Sequence, residues 1–163
     1  GHSQAGLRNP VLKVPLILWS PGRVQSGEVE RPVSQVDLLP TILKLSGLGA
    51  AIPKASQGDD LFAALPGRGV LAEAWDENLA AFDRAWFVGE YKLVVRASGR
   101  RELYDRKKDP ADTRDLSGEK PDLLEALAKG LEEKLKSMPK ARTDIDPKKR
   151  KALERKLRSL GYL

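Results

Sequence analysis

The stretch 91-YKLVVRASGRRELY-104 decides the fold. Tyr91–Arg96 and Arg101–Tyr104 are short strand-forming runs separated by the turn signal Ser98-Gly99, and together they predict a β-hairpin. Upstream lie two more such runs, Val70–Trp75 and Asp83–Val88, the second closed by Gly89-Glu90. Short runs at this spacing indicate an antiparallel meander. Downstream, Pro121 suits the first position of a helix, where its missing N–H costs nothing. Leu124, Leu127 with Ala128, Leu131, Leu135 and Met138 then recur at helical spacing. Gly130 weakens that helix by about 1 kcal/mol relative to Ala. The helix is expected to cover one face of the meander.

The N-terminal third has a different grammar. Val14–Trp19 is apolar without alternation and stops at Ser20-Pro21-Gly22. Such a run reads as a strand buried on both faces, with Pro15 near its start. In 33-VSQVDLLPTILKLSG-47, Ser34 and Asp37 have capping-box spacing. With Asp37 as N-cap, Pro40 falls in the first turn and avoids the ~3 kcal/mol cost of an interior proline. Leu39, Ile42 and Leu43 would then share one face, and Gly47 would end the helix. A buried strand followed by a capped helix marks the edge of an α/β layer. Residues 48–59 lie in the clearest break in composition, a Gly/Ala/Pro/Ser loop. The expected fold class is therefore α/β, taking an α+β form in this segment. Residues 1–47 form the edge of a larger α/β domain, 48–59 a linker, 60–139 a small antiparallel α+β unit and 140–163 a basic helical tail.

Composition sets limits on the chemistry. The 163 residues contain no cysteine and one histidine, which excludes disulfides, thiolate zinc sites, cysteine nucleophiles and two-histidine metal motifs. The longest apolar run is far short of the roughly 20 residues of a membrane span. The net charge is +6, and residues 140–163 hold nine Lys and Arg against three Asp and Glu, so the tail carries the whole excess. Its expected form is a solvated amphipathic helix opened by Asp146 and Pro147. It lacks the interleaved aromatics and groove-reading residues of a nucleic-acid binder, so nucleic acid is not the expected partner.

Few residues offer chemistry of their own. Asp59-Asp60 resembles a metal carboxylate pair but reads better as a turn or helix start before Leu61-Phe62. Ser20-Pro21-Gly22-Arg23 resembles a nucleophile turn without a base beside it. The run 47-GLGAAI-52 follows a helix rather than a strand and lacks a third glycine, so it fails as a phosphate loop. His2 stands in 1-GHSQAGLRNP-10, a start with neither Met nor a leader pattern.

Taken in order, several stretches resemble the C-terminal part of a sulfatase of the alkaline-phosphatase-like superfamily. They are VLKVPLILWSPG at 11–22, the Asp-x-x-Pro-Thr core at Asp37, Pro40 and Thr41, and QGDDL at 57–61. YKLV at 91–94, ELYDRKKDPADTRDL at 102–116 and KLRSLGYL at 156–163 complete the set. Each is weak alone, and the ordered series spans nearly the whole chain. HSQAGLRNP resembles the family's segment in which a His or Lys contacts the sulfate shortly before a Gly-Leu-Tyr-Glu element. Here Arg8 replaces the common Tyr and Asn9 the common acid, and the spacing is a residue or two longer.

The resemblance implies a sulfuric ester hydrolase with the last strand and helix of an alkaline-phosphatase-like domain, followed by a small antiparallel sheet packed on a helix. It implies in-line attack on sulfur by a hydrated formylglycine, a divalent cation such as calcium clamping the sulfate, and His2 as a sulfate contact. The Cys/Ser-x-Pro-x-Arg motif that yields formylglycine is absent here, as are the family's metal ligands. These are expected ahead of Gly1, in the N-terminal part of the same enzyme, so this segment is expected to be inactive alone and to assign no metal or cofactor ligand. A sulfate-ester small molecule or sulfated glycan is the expected substrate, and the periplasm or extracellular space the expected location. Two other readings fit the sequence: a phosphodiesterase or phosphonate hydrolase of the same superfamily, and a non-catalytic polyanion-binding module that uses the basic tail.

Overall fold

The computed structural model describes residues 7–63, 65–75 and 82–139, with 155, 156, 158 and 159 of the tail. Its centre is a four-stranded antiparallel sheet in the order β1 (Val70–Trp75), β2 (Phe82–Val88), β3 (Tyr91–Val95) and β4 (Arg101–Asp105). The four runs named from sequence are these four strands, to within a residue at each end. Gly89 and Gly99 take positive φ in the two hairpin turns, as their places predict. Helix α3 (Pro121–Ser137) follows, with Pro121 in its first turn.

The register explains the two faces of the sheet. Leu93 lies opposite Trp86 on one side and Leu103 on the other. Their side chains share the face covered by α3, where Leu124, Leu127, Ala128 and Leu131 complete the main core with Leu116. Leu93 and Leu103 are completely buried. On the opposite face, Ala85, Phe87 and Val94 meet Val70 and Leu7. Leu7 comes from the chain's N-terminal stretch, which continues into a single helical turn, α1 (Asn9–Leu12), that the sequence pattern does not reveal.

The N-terminal third departs from expectation at its apolar run. Val14–Trp19 is not a strand buried on both faces: it has no ladder partner, and Ile17 is 88% and Trp19 85% exposed. Every strand among the described residues belongs to the sheet of β1–β4, and none runs beside this segment. An apolar run needs a neighbouring strand before it can become a buried one. Helix α2 (Leu38–Leu45) forms as expected, with Asp37 at the N-cap position and Pro40 in the first turn. Its inward side is Pro40 and Thr41, and Leu39 and Ile42 are half exposed. The helix packs on the 57–61 loop through the small polar Thr41, and that contact sets which side faces in. Gly47, at φ +75°, ends the helix, with Gly47 N–H bonding the Lys44 carbonyl at 3.0 Å and Leu48 N–H the Leu43 carbonyl at 2.7 Å.

Among the tail residues, Arg155, Lys156, Arg158 and Ser159 are helical and exposed. The expected cap at Asp146 and Pro147 lies outside the described residues.

Candidate functional site

Two completely buried charged side chains, Asp37 and Lys92, hold ion pairs among the described residues. The first is Asp37. Its side chain does not cap α2. It accepts instead from the backbone N–H of Ser34 at 2.9 Å, from that of Asp59 at 3.0 Å, and from both ends of the Arg68 guanidinium at 2.8 and 2.5 Å. Burial by itself would raise the Asp37 pKa, but the Arg68 hydrogen bond and the two backbone N–H groups outweigh it and hold the carboxyl below its ordinary value. The Thr41 hydroxyl donates to the Asp37 carbonyl at 2.6 Å and accepts from Leu61 N–H at 2.9 Å. Asp37 and Thr41 thus tie the helix start to the QGDDL loop. Gly58 is required there, because a Cβ would stand 1.8 Å from the Val36 carbonyl oxygen.

Asp59 and Asp60 are not brought together as a metal pair. Asp59 pairs with Arg68 at 3.0 Å, and Asp60 faces Lys44 at 3.4 Å while accepting from Phe62 N–H at 3.0 Å. Ser20–Arg23 is a plain turn, with Arg23 and Val24 N–H bonding the Ser20 carbonyl at 3.1 and 3.0 Å. Residues 47–52 close helix α2 and continue as a 3-10 turn over Gly49–Ala51.

The second centre is Lys92, which sequence reasoning missed. The alternation of β3 sends Tyr91, Leu93 and Val95 towards α3, and Lys92 and Val94 to the other face. Lys92 lies in register between Phe87 and Tyr104, so its ammonium sits 5.8 and 5.3 Å from their ring centres. It is completely buried. The ammonium donates to the Leu7 carbonyl at 3.1 Å, to Asn9 Oδ1 at 3.2 Å and to Asp112 Oδ2. Asp112 Oδ2 also accepts from Asn9 N–H at 2.7 Å. Burial pushes the Lys92 pKa down, and the Asp112 carboxylate opposes that shift. A lysine on an otherwise apolar strand face is the signal that could have exposed this centre.

The 102–116 signature delivers Asp112 to that place. The Asp105 carboxylate accepts from Lys107 and Lys108 N–H at 3.1 and 2.9 Å. Asp109 accepts from Thr113 and Arg114 N–H at 2.7 and 2.8 Å. Asp115 accepts from Leu103 N–H at 3.0 Å and Ser117 N–H at 2.9 Å. Each acid folds a local turn, as short carboxylates do.

His2 lies outside the described residues; the nearest described residue is Leu7, 2% exposed against the sheet. Among the described residues no group of three His, Cys, Asp or Glu side chains could hold a metal ion. Their buried acids each pair with arginine, lysine or backbone N–H groups, and Asp112 Oδ1 alone among the buried side-chain oxygens of the described residues has no partner. The described residues therefore do not fit a divalent cation. They position chain segments.

The four-stranded antiparallel sheet with its helix matches the fold of the C-terminal subdomain of solved sulfatases. No family model matches the sequence. The uncharacterized sulfatase YidJ of Escherichia coli strain K12 is 31% identical over 119 residues, covering 69% of this chain and 23% of that protein. Among solved structures, the 2-O GAG sulfatase BT1596 matches at 25% identity with a TM-score of 0.53, covering 61% of this chain and 24% of its own. Ps i-CgsB, solved with k-i-k-neocarrahexaose, matches at 21% identity with a TM-score of 0.59, covering 69% of this chain and 26% of its own, which supports the fold. The chain is related to the sulfatases and corresponds to their C-terminal part, spanning about a quarter of the length of the relatives it matches. No helix among the described residues is long and apolar enough to cross a membrane.

Proposed function

We propose that this chain serves a sulfatase-type sulfuric ester hydrolase, which cleaves sulfate esters of glycans or related small molecules in the periplasm or outside the cell. The observation that carries this reading is the 31% identity to a sulfatase over 119 residues, most of the chain. The GAG sulfatase among the similar structures supports a sulfated glycan as substrate. Formylglycine and a divalent cation, calcium in the first instance, are assigned to the N-terminal part of the same enzyme, because the residues described here do not fit them. His2 is assigned to the sulfate, where a cationic or hydrogen-bonding side chain would stabilise developing negative charge. The phosphodiesterase and polyanion-module readings gain no supporting observation.

An aryl sulfate assay with calcium tests the proposal. The 163 residues alone should release no sulfate, while the polypeptide extended ahead of Gly1 should release it. Turnover by the 163 residues alone, or an extended sequence without a Cys/Ser-x-Pro-x-Arg motif, would overturn it.

A further inference from the structure

A cavity of about 280 Å³ opens beside the last rung of the β3–β4 ladder, where Tyr91 and Asp105 are register partners. The turn cluster that leads from β4 into α3 forms the rest of its wall. Small-molecule sites run from roughly 300 Å³ upwards, so this one has room for a single small ring.

Three kinds of group line it. The Tyr91 ring and the buried Leu116 give an apolar side. Lys108 and Lys120 give two cations, and among the described residues neither ammonium has a carboxylate partner. The third cation there, Arg114, is already held by both oxygens of Glu119 at 2.8 and 3.0 Å. Lys120 is also the N-cap residue of α3, which has no side-chain cap, so the positive end of the helix adds to the same field. Asp105 supplies an acceptor. It is 6% exposed, and its Oδ1 takes the N–H groups of Lys107 and Lys108. Its Oδ2 has no part in those bonds and is not a sealed atom, so it opens to the space that Asp105 lines. The other acid, Asp109, spends both oxygens on Thr113 and Arg114.

We infer that this cavity binds one acidic sugar unit, a pyranose carrying a sulfate or carboxylate group. The apolar face of the ring lies on Tyr91 and Leu116. Lys120 Nζ stands 5.8 Å from the Tyr91 ring centre, so a ring seated there brings its anionic substituent to the two ammonium groups. A ring hydroxyl donates to Asp105 Oδ2. No simpler ligand uses all three groups. An inorganic anion leaves the apolar side bare and meets the Asp105 carboxylate, and a neutral sugar leaves both ammonium groups unanswered. The site needs neither His2 nor formylglycine, so it stands or falls separately from the hydrolase reading.

The test is a titration of the 163-residue protein, followed by amide NMR, with glucose 6-sulfate, glucuronic acid, glucose and inorganic sulfate. At least one of the two acidic sugars should give saturable shifts at Lys108, Leu116 and Lys120, and which one does so names the anionic group. Glucose and inorganic sulfate should each bind at least about tenfold more weakly, as should the acidic sugar to Lys108→Ala/Lys120→Ala. Both lysines are exposed, and unchanged strand amides check that the variant keeps its fold. Asp105→Asn, which keeps an acceptor, should weaken binding less than the double variant. Inorganic sulfate binding as tightly as the acidic sugar would show attraction of ions only and overturn the inference. Glucose binding equally well, full affinity in the double variant, or no saturable shift at these residues would overturn it too.

Discussion

Asp37 and Arg68, 31 positions apart, meet as a two-pronged pair in which each carboxylate oxygen takes one guanidinium nitrogen. The pair joins the start of α2 to the approach of β1. Arg68→Met would leave the fully buried Asp37 with only its two backbone donors, and loss of one partner of a buried pair costs about 3–5 kcal/mol. Urea unfolding of the variant should show a lowered midpoint with an unchanged slope.

The same pair sets an acid limit. The folded pKa of Asp37 lies below its unfolded value, so the unfolded chain takes up the proton first. Its contribution to stability is complete above about pH 4 and is lost as pH falls through the folded value. Asp37→Asn should start less stable and show a flatter Tm profile below that pH. A parallel profile for the two proteins would contradict the assignment.

Lys92 and Asp112 should behave as a unit. Lys92→Met alone strands a buried carboxylate and should cost about 3–5 kcal/mol. Adding Asp112→Asn removes the stranded charge and should recover most of that loss, a coupling that a double-mutant cycle of denaturation measurements reads directly.

Glycine substitutions should split by what a Cβ meets. At Gly130 it would stand 3.5 Å from Trp86 Nε1, an ordinary contact, so Gly130→Ala should stabilise α3 by about 0.5–1 kcal/mol. At Gly58 it would collide with the Val36 carbonyl, so Gly58→Ala should destabilise by about 1–3 kcal/mol. Differential scanning calorimetry should give Tm shifts of opposite sign.

Tyr104 should titrate late. Burial, then the negative charges of Glu102 and Asp115, push its pKa up to about 12. A raised phenol pKa favours the fold fully below the unfolded value of about 10, and that contribution fades as pH climbs through the folded value. Tyrosinate absorbance should show a final step near that pH, absent in Tyr104→Phe.

The meander and α3 were legible because their signals are local. Turn residues at Gly89 and Ser98-Gly99, strand-forming runs and the 124–131 leucine spacing all act within a few residues. Val14–Trp19 was misread for the opposite reason: apolarity says that a segment wants cover, while only a neighbouring strand makes it one. Which side of α2 faces in was not legible, because Thr41 turns inward for a hydrogen bond with Leu61 that no periodicity contains.

The sequence by itself determined the four strands, the helix that covers them and the kinship with sulfatases, since propensity, turn chemistry and ordered motifs are properties of the chain. Only the tertiary structure decided what the motif residues do. Asp37, Lys92 and Asp112 stand far apart along the chain from the groups they bind, and a buried charge takes its role from the partner that folding brings to it.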